Sequence, residues 1–175
     1  TLTIEDETGA PGAVTIDAHS DAEAQALATG GAGSIAFAVN VSLATASVQG
    51  VTRAYVGPRT TVTSGSITAN AVEDVAQAKA DATGGSAGLL AGVNILRAKA
   101  LFDRTTSSFV GAGSTLNMQG HDLSLTATTT PAGPHALADI EGGQGGIVSV
   151  GTYEGVAIVG SRGGSTDTYV GTGST

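Results

Sequence analysis

One pentapeptide in this chain matches a catalytic motif. Gly84-Gly85-Ser86-Ala87-Gly88 fits the Gly-x-Ser-x-Gly pattern that presents a nucleophilic serine in many hydrolases. The motif needs a strained turn from a strand into a helix, and no helical pattern follows it here. Equivalent glycine-rich stretches at 30–34 and 142–146 lack a serine at the matching place. We interpret Ser86 as part of a repeated turn and predict that the chain is not an enzyme.

Metal binding is the second chemistry that the residues suggest. Two glycine-rich stretches are similar to the calcium-binding nonapeptide Gly-Gly-x-Gly-x-Asp, but Ile35 and Ile147 occupy the aspartate position. The acidic clusters Glu5-Asp6-Glu7 and Glu73-Asp74 are then the places where a loop could hold calcium. Solvated carboxylates in turns are the commoner reason for such clusters. We predict no cofactor and no metal site, with calcium at these clusters as the alternative.

The histidines show no catalytic or metal-binding arrangement. His19, His121 and His135 have no ligand spacing and the chain has no cysteine, so we predict histidines at the surface or in turns. Asp17, His19 and Ser20 have the composition of a catalytic triad, but neighbours in a strand point to opposite faces. No catalytic, cofactor-binding or metal-ligating residue is predicted.

These motifs lie in a chain that repeats itself, and such repeats determine the fold. The stretch 28–41 returns as 82–95 and more loosely as 141–150, and a second landmark recurs at 54–57, 108–111 and 168–171. On this alignment residues 1–175 form one array of three units of about 54 to 60 residues, namely 1–60, 61–114 and 115–174. Because Thr1, Thr61, Thr115 and Thr175 are equivalent, we expect a segment of a longer array or one repeating piece of an assembly.

The alternation of residue types predicts strands. Alanine occupies every second position in 21–28 and 76–82, with mostly polar residues between, which indicates a strand with one wet face rather than a helix. The pair Gly30-Gly31 is then predicted to supply positive φ or close backbone approach for a tight turn. Large apolar and small residues alternate over 35–46, which predicts a strand covered at least partly on both faces.

Matched spacings predict contacts between units. Asn40 and Asn94 each precede an aromatic residue by 15 positions, so we expect their amides to stack as a ladder. The third unit departs from this order because 128–134 contains two prolines and no Val-Asn follows its glycine pair. A local loop is predicted there.

Composition narrows the fold and the partners. Aromatic residues make up 3% and hydrophobic residues 41%, which favours a thin core of alanine and valine. The net charge of −8 argues against nucleic acid, which needs clustered lysine and arginine. The longest apolar stretch, 34–46, is interrupted by polar residues and is too short to span a bilayer.

The landmarks Val39-Asn40-Val41, 52–57 and Ile67-Thr68-Ala69 resemble the repeats of large bacterial haemagglutinin-like or adhesin-like β-solenoid proteins. The resemblance implies an all-β solenoid, secreted or at the cell surface, that serves in adhesion or as a stalk or fibre. From the residues alone two topologies remain open, namely stacked parallel coils and long antiparallel hairpins stacked in layers.

The function expected from these patterns is structural. The array would stack its repeats, and copies would associate end to end into filaments, so the first expected partner is the chain itself. The alternative is a carbohydrate- or surface-binding module in which Tyr55, Phe109 and Tyr169 line up as a platform for a glycan. A carbohydrate-cleaving β-helix would need carboxylates and basic residues grouped on one face, and no such group is visible.

Overall fold

A computed structural model describes residues 2–3, 11–130, 135–160 and 164–175. Every regular element among them is a strand, and none is a helix long and apolar enough to cross a membrane. In chain order the strands are β1 (Leu2–Thr3), β2 (Val14–Ser34), β3 (Phe37–Val56), β4 (Thr61–Thr63), β5 (Ile67–Gly88), β6 (Ala91–Val110), β7 (Thr115–Asn117), β8 (Leu123–Thr129), β9 (Ala136–Gly145), β10 (Val148–Val159) and β11 (Thr166–Val170).

The strands wind as stacked coils, and all strand pairs are parallel. β2, β5 and β8 form one sheet in which β9 also pairs with β5. β3, β6, β10 and β11 form a second sheet, and β1, β4 and β7 form a short third one. Each strand therefore bonds to its counterpart in the next coil. The predicted all-β stacked array is confirmed, and the antiparallel hairpin alternative is wrong.

The register agrees with the predicted phase of the repeat. Thr61 pairs with Thr115, and Leu2 pairs with Val62, as the sequence alignment requires. Thr175 extends the same sheet, since its N–H donates to Ser114 O at 3.0 Å and its carbonyl accepts from Leu116 N at 2.7 Å. The equivalence of Thr61, Thr115 and Thr175 is thus a structural fact.

Two long sheets enclose a core made mainly of alanine. In the middle coil four alanines of β5 have no exposed surface and pack against small residues of β3 and β6; they are Ala76, Ala78, Ala80 and Ala82. In β2 the exposed positions alternate with partly buried alanines, which confirms the predicted solvent-exposed face of this strand. Because alanine side chains are short, the sheets lie close together. Larger side chains, including Ile67, Val110 and Val62, fill the end that β4 closes.

The reversal of the chain lies five residues later than predicted. Gly30 and Gly31 are inside β2, and the reversal occurs at Ile35 and Ala36. The glycine is needed for space and not for a turn, because a Cβ at Gly30 would collide with the side-chain oxygen of Asn40 on the facing strand.

The outer face of β3 also differs from the prediction. Phe37, Val39 and Val41 point outward and are 69%, 60% and 54% exposed, whereas Ala38 and Asn40 point inward. A thin interior accepts only the small residues of this alternating strand, so the large ones face outward. No described residue forms a layer over them, so the prediction of a strand covered on both faces is wrong for this coil.

Candidate functional site

A β-bulge in β5 creates the most polar part of the interior. Ser20 of β2 pairs with Glu73, but Ala22 pairs with Ala76, so β5 carries one extra residue between the two positions. Glu73 therefore points into the core and the next residue, Asp74, points out. Neither solvated turn carboxylates, as predicted for Glu73-Asp74, nor the alternative of a calcium-binding loop is found there, because the two residues lie within a strand and on opposite faces. They cannot hold one calcium ion together.

Glu73 forms an ion pair inside the coil. It has no exposed surface, and its Oε1 lies 2.7 Å from Nε of Arg104, whose side chain is 11% exposed. The two groups attract each other as opposite charges, but the geometry at these two atoms is not that of a hydrogen bond. Thr106 donates its hydroxyl to the other carboxylate oxygen at 3.2 Å. The carboxylate is thus neutralised from within and does not face solvent.

Hydroxyl groups extend this cluster across the coils. Nη2 of Arg104 donates to Ser20 Oγ at 2.8 Å and to Thr52 Oγ1 at 3.0 Å in the first coil. Thr129 of the third coil donates to Thr106 Oγ1 at 3.1 Å. Polar side chains of all three coils therefore meet in one interior column. Such a column holds neighbouring coils in register, and its carboxylate has no exposed surface.

A glycine makes room for the guanidinium. Gly50 pairs with Arg104 in the adjoining strand, and a Cβ there would lie 2.7 Å from Arg104 Nη1. Its φ of +144° belongs to the region that glycine occupies readily. A glycine at position 50 therefore provides both the space for the Arg104 guanidinium and the positive φ of the backbone there.

The same bulge forms a cluster of metal-ligand types on the outer surface. His19, Asp21 and Asp74 have ligand atoms within 4.8 Å of one another. His19 Nε2 lies 2.7 Å from Asp74 Oδ2, and the two side chains are 58% and 50% exposed. A divalent cation could be bound there only in competition with this pair. The sequence did not reveal the cluster because His19 and Asp74 come together only when coils stack.

The other predicted residues fall as follows. Ser86 is buried within β5 and does not lie at a turn into a helix. Asp17 and His19 point outward whereas Ser20 points inward, so no triad forms. His121 follows a turn, donating its N–H to Met118 O. The acidic cluster 5–7 and most of the predicted loop at 128–134 lie outside the described residues.

His135 is packed and hydrogen-bonded within the structure. Its ring stacks on Phe102 with centroids 4.8 Å apart, and its Nδ1 lies 3.1 Å from Ala76 O. This places it beside β5, where it contributes to packing. His135 lies at a bend directly before β9 and is half-buried, whereas the prediction placed it at the surface or in a turn.

The predicted asparagine ladder is confirmed. Asn40 Nδ2 donates to Asn94 Oδ1 at 2.8 Å, and both side chains are buried. Asn94 Nδ2 then donates to the carbonyls of Gly84 at 3.0 Å and Gly143 at 3.2 Å. In the third coil Gly151 takes the equivalent position, so the amide ladder ends there and backbone carbonyls accept its last hydrogens.

The equivalent aromatic residues form a continuous stack. Tyr55 and Phe109 have centroids 5.0 Å apart at an interplanar angle of 8°, and Phe109 and Tyr169 are 4.8 Å apart at 5°. Tyr55 and Tyr169 are 48% and 49% exposed, so the stack lies at the surface as predicted. Because neighbouring rings cover one another, the stack presents ring edges outward and one free ring face at each end.

The two ends of the array are incomplete among the described residues. We call the outer edges of β2 and β3 the first-coil edge, and those of β8 to β11 the third-coil edge; neither pairs with another described strand. The alanines of β2 at 22, 24, 26 and 28 are only partly buried, in contrast to the fully buried equivalents in β5. Among the described residues the alanine row is therefore fully buried only in the coil that has a neighbour on both sides.

Comparison with known proteins finds no matching family model, curated protein or solved structure.

Proposed function

We propose that this chain is a structural element of an extracellular fibre or stalk, built by stacking β-coils in an adhesive bacterial surface protein. The observation that carries the proposal is the difference between coils. The middle coil buries its alanine row fully and pairs both edges, whereas the outer coils expose part of the row and leave an edge unpaired. A module of this kind gains stability with every coil added.

The edges are unusually suited to pairing. β2 and β3 are 21 and 20 residues long, and each offers a row of backbone donors and acceptors. Proteins that avoid association shorten such edges, place charges inside them or cover them. Among the described residues of β2 and β3, no charged side chain points inward and no other element covers the edge. These features support assembly as the role of the fold.

The interior chemistry also supports a structural role. Glu73 and Arg104 neutralise each other in the core, and Ser86 is buried in a strand. A hydrolase would need its acid, base or nucleophile at a surface that a substrate reaches. We therefore propose no enzymatic activity.

A carbohydrate- or surface-binding module remains the second prediction. A glycan platform needs exposed ring faces, but the stack of Tyr55, Phe109 and Tyr169 closes all faces except the two outermost. The outer side of β3 offers a different surface, an apolar row beginning with Phe37 and Val39. It would suit an apolar surface better than a glycan.

Negative-stain electron microscopy and fibre diffraction test the structural proposal. We expect uniform fibres with an axial reflection at about 4.8 Å, the distance between neighbouring strands, and a ribbon width of about 65 Å from strands of this length. A chelator should leave them unchanged, since Glu73 pairs with Arg104 and His19 with Asp74. Compact, monodisperse particles at all concentrations would contradict the proposal, and fibre loss on chelation would show that assembly needs a metal ion.

A further inference from the structure

We propose that a second copy of this chain docks head to tail, with its first-coil edge paired in register to the third-coil edge of the first copy. This rests on the proposed fibre function and adds the polarity and register of the contact. Tyr55 of the second copy then stacks on Tyr169, and Arg53 lies opposite Asp167. The partner is thus defined residue by residue.

The register follows from the strand pairing already present. Tyr55 pairs with Phe109 and Phe109 with Tyr169, while Arg53 pairs with Ser107 and Ser107 with Asp167. Adding one more coil at the same spacing brings Arg53 of the new copy beside Asp167. Both side chains point outward, so opposite charges meet on one face of adjacent strands.

Within one chain this charge pair cannot form. Ser107 stands between Arg53 and Asp167, which places their strands two spacings, about 9.6 Å, apart. The arginine has no ion pair among the described residues, although Asp167 accepts a hydrogen bond from Ser165. The complementary charges lie one on each edge, as a head-to-tail contact between copies requires.

The aromatic stack continues in the same register. Its free ring faces belong to Tyr55 at the first-coil edge and Tyr169 at the third-coil edge. Rings in the existing stack repeat at 5.0 and 4.8 Å, which is the distance between neighbouring strands. A further tyrosine therefore fits without any change of backbone spacing.

The same register avoids clashes between acids although the chain carries a net charge of −8. Following the pairs through the middle coil brings no outward acid of one edge opposite an acid of the other among the described pairs. The positions that meet are Asp17 with Thr126, Leu27 with Asp139, Thr29 with Glu141 and Leu43 with Glu154. A head-to-head contact would instead pair strands antiparallel and lose both the ring contact and the charge pair.

Disulfide trapping tests the register, because the chain has no cysteine of its own. In the variant Arg53→Cys/Asp167→Cys the two sites lie too far apart within one chain for a disulfide, but one strand spacing apart between copies. We expect a ladder of linked oligomers on a non-reducing gel that collapses with reductant. The control Arg53→Cys/Glu154→Cys should give none, since Glu154 aligns with Leu43, about 33 Å along the strand.

The charge pair is tested separately by sedimentation. Arg53→Asp places two acids opposite each other and should raise the critical concentration for assembly about five-fold, and Arg53→Asp/Asp167→Arg should restore it. Fibres that form without the 53–167 link, or dimers of Arg53→Cys alone, would overturn the register and leave the fibre proposal standing. If the unaltered chain does not associate, both proposals fail.

Discussion

Removing Arg104 should destabilise the chain far more than removing an arginine from the surface. Arg104→Met leaves the Glu73 carboxylate in an alanine core with only the Thr106 hydroxyl as a partner. Loss of one member of a buried ion pair costs about 3–5 kcal/mol. With a urea m-value of about 2 kcal/mol/M, the unfolding midpoint should fall by roughly 2 M.

The matched control lies on the same strand. Arg97 pairs with Glu154 at 2.8 Å, but its side chain is 59% exposed, so Arg97→Met should cost less than about 1 kcal/mol. Glu73→Gln should cost about 1–2 kcal/mol, because Arg104 keeps its bonds to Ser20 and Thr52.

A double variant separates the charge from the packing. Glu73→Leu/Arg104→Met replaces the pair by apolar groups and should recover to within about 1 kcal/mol of the original stability. Urea unfolding of dilute monomer, followed by circular dichroism, measures all four variants. The reasoning is refuted if Arg104→Met and Arg97→Met lose the same stability, or if the double variant is no better than Arg104→Met.

Two further variants test the close packing between strands. Gly84→Ala should lower the free energy of unfolding by about 2–3 kcal/mol, because its Cβ would lie 2.6 Å from Gly30 O, whereas Gly31→Ala, with open space, should be neutral. Equal urea midpoints would show that the glycine is not required for space. Phe109→Ala should cost about 3–5 kcal/mol through loss of the ring between two tyrosines, and Phe109→Tyr should be tolerated. Equal losses of melting temperature in Phe109→Ala and Phe109→Tyr would contradict a stabilising role of the aromatic stack.

The sequence predicted the repeat phase and the exposed face of β2 because both follow from spacing, but not the exposed outer face of β3. Equivalent asparagines and aromatic residues at matched separations had to stack once coils were parallel, as Asn40 and Asn94 do. The choice between coil and hairpin was open, since alternation is the same in both. Parallel pairing depends on contacts between residues of different units, and the alternation within one strand does not predict those contacts.

The buried ion pair was not predicted, although the alternation of inward and outward positions along the sequence indicates it. Inward positions run through Ala69, Ala71 and Glu73 and resume at Ala76, so the alternation changes phase between the last two. That change marks a bulge and places the acid inside. Counting along β6 from Phe102 brings Arg104 to an inward position in the same coil. Composition alone, which groups Glu73 with Asp74 as an acidic pair, does not contain this information.

Polar groups in this thin core also decide which register the coils adopt. Alanine recurs at every second position of 22–28 in β2 and 76–82 in β5, so within these segments a slip of two residues would keep alanine on alanine and leave each face unchanged. Such a slip would separate Asn40 from Asn94, move Ser20 away from Arg104 and unstack the aromatic rings. Each of these losses leaves a buried polar group unpaired or a ring uncovered. The free-energy cost of these losses is larger than the difference in alanine packing between the two registers. The asparagine ladder, the buried ion pair and the aromatic stack thus specify one register in a core whose apolar side chains alone would permit several.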